Sequence, residues 1–64
     1  MYWMQVNENR ALVEREKGDD FPGVKIVEDI GFVLLVGEEE EVSKLVSQAC
    51  LTVSDEGEGE PELH

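Results

Sequence analysis

Residues 32–50 read FVLLVGEEEEVSKLVSQAC, and this stretch decides the fold. Its first five residues, 32–36, are all apolar, a run too short for a helix and bounded by Gly31 and Gly37, so it reads as a strand. Side chains alternate across a strand. Phe32, Leu34 and Val36 therefore share one face, Val33 and Leu35 the other, and both faces are apolar. After Gly37 the period changes. Val42, Leu45, Val46, Ala49 and Val53 recur at i, i+3, i+4, i+7 and i+11, which predicts an amphipathic helix over 38–48 or slightly beyond. Glu38, Glu39, Glu40 and Glu41 open that helix, where negative charge complements its dipole. Glu40 and Lys44 are spaced for an i,i+4 ion pair. Leu51-Thr52-Val53 follows as a last turn or a short edge strand.

Working back from this unit, residues 24–28 predict a strand, turned into 32–36 by Asp29-Ile30-Gly31. Gly18 to Gly23 is a loop, and Pro22-Gly23 suits the centre of a type II turn. Residues 1–6 alternate as a strand, with Tyr2, Met4 and Val6 on one face and Trp3 and Gln5 on the other. Asn7-Glu8-Asn9 is a turn signal. Residues 10–17 have two readings. Ala11, Leu12, Glu14, Arg15, Glu16 and Lys17 favour helix, and Gly18 suits a C-cap. The apolar residues, however, stand in one run, Ala11-Leu12-Val13, without a 3.6-residue period. A hairpin partner for the first strand fits better. The expected fold is α+β: a mostly antiparallel sheet of about four strands with one C-terminal helix on one face, ββββα or ββββαβ.

The chain has 64 residues, 16 acidic and 5 basic, for a formal net charge of -11. Residues 1–53 hold 11 acids and 5 bases, a net -6, and residues 54–64 hold five acids and no base, a net -5. The last eleven residues, SDEGEGEPELH, contain one large apolar side chain, so they are expected to form a disordered acidic tail behind a single domain over 1–53. Such a charge disfavours direct binding to nucleic acid or to an anionic membrane. No apolar run is long enough to span a bilayer. The first residues lack a signal-peptide pattern and the single cysteine, Cys50, has no disulfide mate, so a cytoplasmic location is expected.

Chemistry-bearing motifs are sparse. No calcium loop or phosphate-binding glycine loop is present, consecutive glutamates on a helix point in different directions, and 53 residues leave little room for a catalytic cleft. No enzyme, metal or cofactor is expected. His64 is terminal and without companions. Cys50 borders the apolar helix face and reads as a small buried hydrophobe.

Two features point outward. One helix can cover only one face of the sheet, so Val33, Leu35 and Trp3 are expected at an apolar interface with a second copy or an obligate partner. The acids form the other feature: Asp19 and Asp20, Glu28 and Asp29, Glu38 to Glu41, and Asp55, Glu56, Glu58, Glu60 and Glu62. Along an extended tail, alternate glutamates fall every ~6.6 Å. Duplex DNA offers one phosphate per ~3.4 Å of axis along each strand. The expected function is a non-catalytic acidic protein that docks on, and inhibits, a basic nucleic-acid-binding protein by imitating nucleic-acid charge. Small acidic inhibitors from phages and mobile elements are similar in size and charge. The alternative is an assembly subunit that associates through its apolar sheet face, with the acids serving solubility alone.

Overall fold

A computed structural model describes residues 1–29 and 31–59. The element order is β1 (Tyr2–Val6), α1 (Arg10–Lys17), β2 (Lys25–Asp29), β3 (Phe32–Gly37), α2 (Glu39–Ala49) and β4 (Val53–Glu58). The α+β class and the four-stranded antiparallel sheet agree with the sequence reading. The order does not. The helix expected at the C-terminus lies between strands, and a second helix stands where a strand was favoured.

That second helix, α1, is set by its ends. The Asn9 side chain accepts the Leu12 N–H at 2.8 Å, an N-cap. Gly18, at φ 52°, donates its N–H to the Glu14 carbonyl at 3.0 Å and closes the last turn. Two turns need only one apolar anchor, and Val13 supplies it, fully buried. The absent 3.6-residue period was therefore no evidence against so short a helix.

The acidic segment expected to be disordered from Ser54 instead pairs with β1 as far as Glu58. Tyr2 lies opposite Glu58, Trp3 opposite Gly57 and Met4 opposite Glu56, with a register shift between Gln5 and Val6. The Trp3 indole lies over Gly57 so closely that a Cβ there would meet the ring at 2.7 Å. An edge strand has one paired side only, so its acids remain in water while the aromatic strand beside it supplies cover. Glu60 and Glu62 lie outside the described residues.

The sheet order is β2-β3-β1-β4, every neighbouring pair antiparallel. β3 is inserted between β1 and β2, the split β-α-β arrangement of ferredoxin-like topologies. Both helices pack on one face. Val13 of α1 and Val42 and Leu45 of α2 join Val6, Phe21, Val24, Val33, Leu35 and Leu51 in the core. Tyr2, Met4 and Ile26 pack against it from the same side.

Val33 and Leu35 thus face the helices and are correspondingly buried, which corrects their expected place at an interface. The face without a helix among the described residues carries Trp3, Val27, Phe32, Leu34 and Val36. Leu34 is buried between Gln5 and Val27, and Val36 between Trp3 and Lys25. The alternation was right and its polarity reversed, because a second helix joins the first over the Val33 side.

Smaller details also differ. The Val24 N–H bonds the Phe21 carbonyl at 3.1 Å around Pro22-Gly23, but Gly23 lacks the positive φ of a type II turn. Val53 belongs to β4 and is exposed rather than on the helix face. Cys50 is exposed and caps α2 in the left-handed region at φ 55°.

Candidate functional site

Four of the acids, Glu38, Glu39, Glu56 and Glu58, gather at one place, the side of the sheet formed by β4 and the start of α2. Strand alternation sends Tyr2 of β1 to the helix-bearing face. Glu58 lies directly across from it on β4, and Glu56 lies on the diagonal within reach of a long side chain. The Tyr2 hydroxyl donates a hydrogen bond to the Glu56 carboxylate. Met1, Tyr2, Gly37, Glu38, Glu39 and Glu58 line a shallow open cleft around it.

The electrostatics report the same convergence. The Tyr2 hydroxyl is pushed up to about 12, first by its hydrogen bond to Glu56. Desolvation comes next, followed by the negative charges of Glu56, Glu39 and Glu58. Each of these favours the neutral phenol, since tyrosinate would add a further negative charge beside carboxylates.

Elsewhere the acids are dispersed. Glu39, Glu40 and Glu41 occupy the first turn of α2, and Glu38 is its N-cap without a side-chain cap bond. Glu41 turns its carboxylate against Gly23. Glu40 does not pair with Lys44. Among the described residues the ion pairs are those of Arg10, with Glu14 at 3.0 Å and with Glu28 at 3.7 Å. Asp19 and Asp20 stand exposed on the connection to β2, the edge opposite β4. Asp29 ends β2. Asp55 bonds locally, its carboxylate accepting the Glu56 N–H at 2.9 Å.

Sequence reasoning missed Tyr2 as the hub, having read it as a strand residue. Its signal was available in the shared period of two, once residues 53–58 are read as a strand. Tyr2 and Met4 then face the same way as Glu56 and Glu58. Among the described residues no three His, Cys, Asp or Glu side chains are grouped to hold a metal. Nor is any helix there long and apolar enough to cross a membrane. Comparison with protein-family models, curated proteins and solved structures gave no match.

Proposed function

We propose that this chain is a non-catalytic binding protein whose acidic end docks on a basic nucleic-acid-binding protein and blocks the surface that phosphates would occupy. The observation that carries the reading is the convergence at Tyr2: carboxylates from two separate elements, Glu39 of α2 and Glu56 and Glu58 of β4, lie around one hydroxyl, Glu56 bonded to it, Glu58 across the strand and Glu39 lining the same cleft. A charge array imitates a polyanion only if its members share a surface. Glu56 and Glu58, two residues apart on one strand, stand about 6.6 Å apart. Such exposed charges steer association and are screened over about 8–10 Å at physiological salt.

Capture from lysate at low salt, followed by salt elution, tests the proposal. Basic nucleic-acid-binding proteins should be released between low and moderate salt. The triple variant Glu39→Gln, Glu56→Gln, Glu58→Gln should release none. Equal capture by wild type and variant would sink it. The second reading, assembly through an apolar face, is favoured by Trp3, Phe32 and Val27, half-buried with no helix over them among the described residues. It predicts that Phe32→Asp abolishes association while salt has little effect.

A further inference from the structure

We infer that β2 is a self-complementary edge through which two copies of this chain join, antiparallel and centred on Val27, so that two four-stranded sheets continue as one. The argument begins with which backbone groups face outward. The Gly59 N–H donates to the Met1 carbonyl at 2.5 Å, and these two residues continue the register one step beyond Tyr2 and Glu58. In an antiparallel ladder, hydrogen-bonded and non-hydrogen-bonded pairs alternate. Trp3 with Gly57 and Gln5 with Asp55 are therefore bonded pairs, and Tyr2, Met4 and Val6 turn their backbones to β3. Continuing across the register, Phe32, Leu34 and Val36 turn to β2 and meet Asp29, Val27 and Lys25. Ile26 and Glu28 are left with their N–H and C=O groups toward the edge that, among the described residues, no strand pairs.

A two-fold axis at Val27 uses these groups fully. Ile26 falls opposite Glu28 of the second copy, and Glu28 opposite its Ile26, each pair exchanging two backbone hydrogen bonds. Val27 meets Val27 at a non-hydrogen-bonded position, where facing side chains come closest. Lys25 takes the register position opposite Asp29 of the second copy, so the register sets a basic position against an acidic one twice over. On the face without helices, Leu34 and the half-buried Val27 of each copy line up as one apolar row. The sequence KIVED is thus antiparallel-complementary to itself.

The other edge lacks this property. β4 reads VSDEGE, so a second β4 would bring Asp55, Glu56 and Glu58 beside their own kind. The Glu56 N–H, which faces outward by the same parity, is already taken by the Asp55 carboxylate. Charged, capped edges resist pairing with a copy. The inferred dimer leaves both acidic β4 edges at its far ends, clear of the join.

Sedimentation equilibrium of the full chain at physiological salt tests the inference, with circular dichroism to verify folding. Wild type should associate to a dimer. Glu28→Pro removes an outward N–H without touching the bonds to β3, and it should leave a monomer. Lys25→Glu sets like charges opposite each other and should weaken the dimer by about tenfold or more. Adding Asp29→Lys to Lys25→Glu should restore it, and this pair of variants decides the matter if Glu28→Pro fails to fold. The Glu39, Glu56 and Glu58 glutamine variant should still dimerise, which separates this inference from the docking reading. A wild type that stays monomeric up to about 1 mM, far above the Kd of specific dimers, would overturn it. So would a dimer that survives both Glu28→Pro and Lys25→Glu.

Discussion

Tyr2 is the residue on which most of the local chemistry turns. It is the only tyrosine in the chain, so its ionisation can be followed by ultraviolet absorbance without interference from another. Its midpoint is expected near 12, against an ordinary 10.0. The folded value lies above the unfolded one. The stability contributed by the neutral phenol is therefore fully present below pH 10.0 and is lost as pH rises towards about 12. Glu56→Gln removes the largest cause and should move the midpoint back toward the ordinary value. An unchanged midpoint would mean that the hydroxyl is not held by that carboxylate. Cys50 gives a second prediction at this scale. A side chain in the left-handed region strains the backbone, and glycine at a helix C-cap does not. Cys50→Gly is expected to raise stability by about 0.5–1 kcal/mol in denaturant unfolding. That Tyr2 shares a strand face with Met4 and Val6 was legible from alternation, but that this face bears the helices was not. The cysteine's exposure was not, because it depends on where α2 stops.

At the scale of elements, α2 and β3 were readable because each carries a strong period of its own. The helix has apolar residues at Val42, Leu45, Val46 and Ala49, and the strand has an unbroken apolar run. Neither α1 nor β4 has such a period. α1 is held by an Asn9 cap, a Gly18 closure and one buried valine. Asn9→Ala should cost about 1 kcal/mol and reduce helical circular dichroism. A smaller loss would indicate that packing of Val13, not the cap, holds the helix. β4 is composed of residues poor in strand propensity, and register with β1 overrides that preference. Gly57 is the visible reason, since its missing side chain makes room for the Trp3 ring. Composition alone placed this segment among disordered tails, because an edge strand can leave its acids in water and still satisfy one row of backbone groups.

For the whole molecule, the four strands close a two-layer arrangement whose C-terminal strand sits beside the N-terminal one. Removing residues 54–64 should therefore lower the melting temperature markedly, as β1 would lose one of its two neighbours and become an edge. An unchanged melting temperature would show that β4 adds nothing to the fold. The same topology separates the two edges by character, acidic β4 on one side and self-complementary β2 on the other. By itself the sequence determined the class of fold, the alternation of β1, β2 and β3, the apolar face of α2 and the excess of negative charge, because each is a local or summed property of the chain. Only the tertiary structure decided that the helices cover Val33 and Leu35, that residues 53–58 are a strand, and that Glu39, Glu56 and Glu58 meet at Tyr2. Those outcomes depend on which distant segments become neighbours, Tyr2 and Glu56 being 54 residues apart, and no period or composition records that.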